Sequence, residues 1–158
     1  MQAVPDARLT GRARLETVAQ QSPALLPSDQ RAEWKLLVRA RPNFLLVGSS
    51  SATNEVLATL KPHLREPILQ SERNPGAPVP QPLEGTLVLM EVARLDAKQQ
   101  AQILRWLNQF NDRPAVQVIS TTSESLFSRV EAGTFLDNLY YRLNVVRIDL
   151  APSADSRR

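Results

Sequence analysis

Between Asn43 and Leu150 the chain switches repeatedly from short apolar runs to segments with helical spacing, and this alternation most narrows the folds open to it. Phe44–Val47 is an apolar run of strand length, and Thr53–Leu64 puts Val56, Leu57, Leu60 and Leu64 on one face of a helix. Pro67–Gln70 reads as a short strand, Leu87–Leu89 as a buried one, and Val116–Ser120 and Val145–Leu150 as two more. Asp96 caps a helix running to about Phe110, with Gln99 in the capping-box position and Ile103, Leu104, Leu107 and Phe110 facing inward. Two short helices, Ser123–Glu131 and Thr134–Leu143, precede the last strand. Strands joined by helices imply a parallel sheet covered on both faces. The expected class is α/β, in three layers, with about five strands and no internal repeat.

The flanks read differently. Residues 1–27 mix polar, small and proline residues, with one short helix around Arg12–Gln21, and are expected to form a partly disordered arm. Ser28 and Asp29 offer an N-cap, and Ala32, Leu36, Leu37 and Ala40 carry helical spacing to a stop at Pro42. The folded domain is expected over 28–150 and a flexible tail over 151–158. Arg73–Glu84 contains Pro75, Pro78, Pro80 and Pro82, so it is expected to be an extended connector.

Composition enters by exclusion. No run of about 18 apolar residues is present, so no membrane span is expected, and the N-terminus lacks the layout of a signal peptide. Without cysteine there is no disulfide or thiolate metal site, and the cytoplasm is the expected compartment. The net charge of +3 resides in residues 1–42, where seven Arg or Lys face four Asp or Glu. Those positives alternate with acids and have few aromatics beside them, so they read as solvated helix faces and nucleic acid is not the expected partner. His63 has no second ligand beside it, so no metal site is expected. Trp34 and Trp106 read as packing residues.

Two segments address chemistry directly. The apolar strand Asn43–Val47 runs into Gly48 and then Ser49-Ser-Ser-Ala-Thr-Asn-Glu55, the strand–turn–helix setting of a phosphate-binding loop. A working loop reads G-x-x-x-x-G-K-[ST]; here Gly48 fits the first position, Thr53 stands in place of the second glycine and Asn54 in place of the lysine. In Gly85-Thr-Leu-Val-Leu-Met-Glu-Val92, Met90 occupies the strand end where an aspartate would hold magnesium.

Taken in order, these segments resemble the AAA+ ATPase domain of bacterial transcription activators that work with sigma-54 polymerase. Gly133-Thr-Phe-Leu-Asp-Asn-Leu-Tyr-Tyr-Arg-Leu-Asn-Val-Val146 is similar to the family's G-x-F-R-x-D-L-Y-Y-R-L-N-V-x segment. Gly85–Val92 with Gln99–Leu107 resembles its G-T-L-F-L-D-E-I strand and following helix, and Val118–Leu126 resembles the strand that carries a polar sensor. The resemblance covers Asn43 to Leu150 and implies an AAA+-like sheet.

The departures concern the reactive positions. Asn54 lacks the charge that lysine places on the terminal phosphates, and Thr53 puts a β-branched side chain where glycine lets the backbone approach. Met90 cannot ligate magnesium, which takes hard oxygen ligands. Glu91 matches the family's water-activating carboxylate, Ser123 replaces the sensor asparagine, Leu136 replaces an arginine that reaches the neighbouring subunit's nucleotide, and Arg142 keeps a second one. Phosphoryl transfer depends on positioning and charge stabilisation, so no catalytic residue and no cofactor are expected. The connector also lacks the family's sigma-contacting G-A-F-T-G-A loop, and a lid domain is not part of the expected architecture. The expected function is a non-catalytic, AAA+-like regulatory domain that binds another protein: a transcription or signalling component, or an AAA+ subunit. Phe135, Tyr140, Tyr141 and Arg142 are the interaction candidates. The alternative is a magnesium-independent nucleotide or anion sensor built on Gly48, Ser49, Ser50 and Ser51 of the Gly48–Glu55 turn, against which stands a plain polar turn. Glu91 also reads as a satisfied or solvated carboxylate, and Arg142 as half of a surface ion pair.

Overall fold

Side chains along a strand leave alternately on its two faces, so a run in which both sets are apolar must be covered twice. The computed structural model describes residue 34 and residues 39–71, 76–110 and 115–150. It places β1 (Phe44–Val47), β2 (Ile68–Gln70), β3 (Gly85–Leu89), β4 (Val116–Thr122) and β5 (Val146–Asp149) in one sheet of order β2-β3-β4-β1-β5. Every pairing is parallel. Helices α1 (Ser50–Leu60), α2 (Ala97–Leu107), α3 (Leu126–Glu131) and α4 (Asp137–Leu143) supply the connections.

Connection α1 runs from β1 toward the β2 edge, while the later ones cross the sheet the other way. With right-handed crossovers the two directions put their helices on opposite faces. The core divides accordingly. Phe44, Leu46, Val88, Met90, Ile119 and Ile148 pack under Val56 and Leu60 of α1, together with Trp34. Leu45, Leu87, Leu89 and Val118 pack on the other face against Ile103 and Trp106 of α2, Leu126 of α3, and Leu139 and Leu143 of α4. Each fully buried Leu or Ile contributes about 1.5–3 kcal/mol. The exposed pairs Glu124–Arg129 and Arg147–Asp149 contribute at most about 1 kcal/mol each. Apolar burial therefore decides the stability of this frame.

The sequence-based elements that fall on described residues are present, with shifted ends. Helix α1 starts at Ser50, three residues before Thr53, because the Ser49 hydroxyl accepts the Ala52 N–H at 3.1 Å and starts the helix there. It stops at Leu60, where Pro62 tightens Lys61–His63 into a 3₁₀ turn. Helix α2 has the expected capping box: Asp96 Oδ1 accepts the Gln99 N–H at 2.8 Å and Gln99 Oε1 accepts the Asp96 N–H at 3.0 Å. Helices α3 and α4 begin later than expected, at Leu126 and Asp137, with Ser125 capping α3. Strand β3 begins already at Gly85, whose φ is 91° and whose added Cβ would run into the Pro67 carbonyl.

Trp34, Arg39 and Ala40 are helical, in line with the expected Ser28–Ala40 helix. The rest of that helix, the arm 1–27 and the tail 151–158 lie outside the described residues. The described part of the connector is strapped along α2. Gln99 Nε2 donates to Ala77 O at 2.9 Å and Trp106 Nε1 to Pro82 O at 3.2 Å. Val79 and Pro82 face inward while Pro78, Gln81 and Glu84 are exposed, the three-residue period of an extended proline-rich chain.

Candidate functional site

A parallel sheet of this kind presents its ligand crevice at the carboxyl ends of the strands. Here that edge carries Gly48 after β1, Met90 and Glu91 after β3, and Ser123 after β4. Only Gly48 and Ser49 separate β1 from α1. Ser50, Ser51 and Ala52, which would belong to an open phosphate loop, are instead wound into the first turn of the helix. The Gly48 N–H donates to Thr122 O at 3.0 Å. The Ser49 hydroxyl is consumed as the helix cap, and the Ser50 hydroxyl donates to Glu91 Oε1 at 3.3 Å. Ser51 is exposed. The four residues of the anticipated anion turn are neighbours, but three of them already bond within the chain.

Thr53 is fully buried, and its hydroxyl donates to Ser50 O at 3.1 Å. It is a helix-interior residue where the motif needs a glycine in open loop. Asn54 is exposed on the outer side of α1. Met90 is 3% exposed, with its side chain in the apolar cluster beneath α1 and its N–H donated to Ser71 Oγ at 3.0 Å. Among the described residues no three His, Cys, Asp or Glu side chains come together in a metal-binding group.

Glu91 is the satisfied carboxylate of the two sequence readings. Its Oε2 accepts the Ser123 hydroxyl at 3.0 Å and the Ser123 N–H at 3.2 Å, in addition to the Ser50 contact on Oε1. Its own N–H donates to Thr121 Oγ1 at 3.0 Å, and its φ of 50° is left-handed. Thus the strand-end carboxylate, the helix start and the sensor-like position are joined directly by hydrogen bonds.

The interaction candidates divide by burial. Phe135 is 4% exposed and packs with Leu139 and Leu143 into the core, so it supports the α3–α4 face from beneath and does not form it. Tyr140 is half-buried, whereas Tyr141 is 67% exposed, so one tyrosine is anchored and the other faces solvent. Arg142 corrects the expected ion pair: it donates to Leu107 O at 2.6 Å and to Asn108 Oδ1 at 3.0 Å, where a cation meets the C-terminal dipole of α2. Leu104, Asn108, Asn138, Tyr141 and Arg142 line a cleft of about 330 Å³ beside it.

Two contributors were not singled out from sequence. Phe127, 47% exposed, lies 6.2 Å from Tyr140, which in turn stands edge-on to Tyr141 at 5.3 Å, forming an aromatic row. Leu136, already noted in place of the family's arginine, is 41% exposed and caps the start of α4 beside this row. Gln100, 2% exposed, fixes that start: it donates to Leu95 O and Thr134 O and accepts the Leu136 N–H at 2.9 Å. Glutamine at a helical core position was the available signal, since a buried amide requires partners.

A family model described as the Sigma-54 interaction domain matches residues 31–152. HTH-type transcriptional regulatory protein TyrR of Salmonella typhimurium is 35% identical over 80 residues, 45% of this chain and 16% of that protein. Regulatory protein AtoC of Escherichia coli is 34% identical over 83 residues, 47% of this chain and 18% of that protein. The chain spans less than a fifth of the length of these relatives. NtrX from Brucella abortus, solved in complex with ATP, superposes with a TM-score of 0.63 at 21% identity, covering 90% of this chain and 40% of that one. At that identity the likeness is one of fold, the P-loop NTPase-like α/β sheet. No helix of the described residues is long and apolar enough to cross a membrane.

Proposed function

The chain belongs to the sigma-54 interaction domain family of AAA+ ATPase domains in bacterial transcription activators, and from that membership we propose that it is a non-catalytic member acting by binding another protein. The observation that carries this reading is the head of α1. A phosphate loop works by offering unpaired backbone N–H groups and a lysine to the anion. Here the loop is reduced to Gly48 and Ser49, the lysine position is Asn54, and the carboxylate of Glu91 already faces the helix start. An incoming phosphate would meet the like charge of Glu91, and the Gly48 N–H and the Ser49 and Ser50 hydroxyls already have partners within the chain. Met90 in the core leaves no aspartate at the strand end for magnesium, Leu136 stands in place of one arginine, and the arginine that is kept, Arg142, is bonded to the C-terminal end of α2.

The partner-facing surface is the outer side of α3 and α4, where Phe127, Leu136 and Tyr141 are exposed above a packed base. Aromatic residues with an arginine nearby have the composition of protein-binding centres. The occupant is a transcription or signalling component or an ATPase-active AAA+ subunit, and in the second case this chain would cap or poison a ring. That last step is an analogy of fold. The alternative of a magnesium-independent anion sensor has less support, because it requires the same donors that Glu91 and Thr122 now occupy.

Calorimetric titration with ATP and ADP, with and without magnesium, tests the reading. No heat at millimolar nucleotide is expected. Saturable binding would refute it and move the function to the Gly48–Glu55 turn.

A further inference from the structure

Glu91 is 5% exposed, and a carboxylate withdrawn from water must be stabilised by whatever replaces the solvent. Among the described residues its partners are all neutral: the Ser50 hydroxyl, the Ser123 hydroxyl and the Ser123 N–H. Ser50 is the first residue of α1, so the helix dipole adds to their effect. These are the groups an oxyanion would use if it lay in front of this helix. The backbone at Glu91 is left-handed, a conformation that non-glycine residues keep only when their surroundings enforce it.

The geometry points to Glu91 as a built-in ligand: its carboxylate supplies, from inside the chain, the negative charge at the head of α1, and so ties β3, α1 and the entry to α3 together without nucleotide. The consequence reaches the interaction surface. Ser123 leads through the turn in which Thr122 Oγ1 donates to Glu124 O at 2.9 Å, then to the Ser125 cap and to Phe127 in the first turn of α3. Fixing Ser123 therefore fixes where Phe127 meets Tyr140. A domain that carries its own anion holds the α3–α4 surface in one arrangement at any nucleotide concentration. This inference rests on the reading that no nucleotide occupies the head of α1.

Glu91→Gly removes the carboxylate and keeps a residue that accepts the left-handed backbone. The probe is sodium formate, a carboxylate without a side chain, with sodium chloride at equal ionic strength as the control. The readouts are the thermal midpoint and amide hydrogen exchange from Ser123 to Phe127. The midpoint of the variant should fall by about 5 °C or more, and exchange at Ser123 should rise about tenfold or more, as for the loss of a charge-assisted hydrogen bond. Formate, and not chloride, should reverse both changes in the variant and leave the parent chain unaffected. Unchanged exchange at Ser123, or faster exchange that formate does not slow, overturns the inference. Should Glu91→Gly not fold, Ser123→Ala in the parent chain removes one donor and leaves the carboxylate in place. It should speed exchange at positions 123–127 several-fold, and no change there overturns the inference equally. Heat on titrating ATP into the parent chain would sink the nucleotide-free reading on its own, whatever formate does.

Discussion

The head of α1 and the outer face of α3–α4 are the two candidate contact regions of this chain, and they are built in opposite senses. At the head of α1 the polar groups turn inward: Gly48 N–H, the Ser49, Ser50 and Thr53 hydroxyls and the Glu91 carboxylate all bond within the chain. On α3–α4 the apolar groups turn outward, with Phe127, Leu136 and Tyr141 in water above Phe135 and Leu139 in the core. The energetic consequence is unequal. A ligand that replaces an internal hydrogen bond with one of its own gains close to nothing, because the exchange nearly balances. A partner that covers Phe127 or Tyr141, 47% and 67% exposed, gains from each ring roughly half to two thirds of the about 1.5–3 kcal/mol that full burial brings. The contrast favours binding of a macromolecular surface over binding of a phosphate.

The contrast breaks most visibly if the outward face has no rigid base. Leu139 is fully buried between α4 and the sheet, so Leu139→Ala should cost about 2–5 kcal/mol in urea unfolding. A loss under about 1 kcal/mol would mean that α4 is not anchored in the core and that the aromatic row has no fixed geometry. A smaller loss, about 1–3 kcal/mol, is expected for Gln100→Ala, which leaves the Leu136 N–H and the Leu95 and Thr134 carbonyls without their partner. If that variant unfolds at the parental urea concentration, water reaches those groups and the turn into α4 is looser than its hydrogen bonds imply.

How much of this could be read from sequence follows from the range over which each signal acts. The strands were legible because Phe44–Val47 and Leu87–Leu89 are apolar on both faces, which only a covered sheet tolerates. The α2 cap was legible because Asp96 and Gln99 are a local pair. The start of α1 differs from the expected Thr53 by three residues, because the cap that decides it is Ser49, whose hydroxyl accepts the Ala52 N–H. Phe135 is an interaction candidate by its place in the motif, yet it precedes α4 and is buried with Leu139 and Leu143, a packing that only the tertiary fold decides. The links Ser50–Glu91 and Ser123–Glu91 join residues 41 and 32 positions apart, and no local pattern encodes such contacts. Arg142 found a helix end and not an acid, which depends on where α2 stops in space.

The smallest effect on stability gives the sharpest comparison of the two regions. Tyr141 is 67% exposed and touches chiefly the edge of Tyr140, so Tyr141→Ser should change unfolding free energy by no more than about 0.5 kcal/mol. Ser51→Ala, at an exposed position of the α1 head, should be equally silent. The two variants separate when a partner is present. Once a stoichiometric complex has been isolated, Tyr141→Ser should weaken it about 30-fold, equivalent to about 2 kcal/mol for the loss of a central aromatic anchor, while Ser51→Ala leaves the affinity unchanged. Equal weakening by both would mean that the partner spans the two regions and that the inward-turned site still faces a ligand. Weakening by Ser51→Ala alone would reverse the assignment, because the partner would then recognise the hydroxyls at the helix start and the aromatic row would be surface without a role in binding.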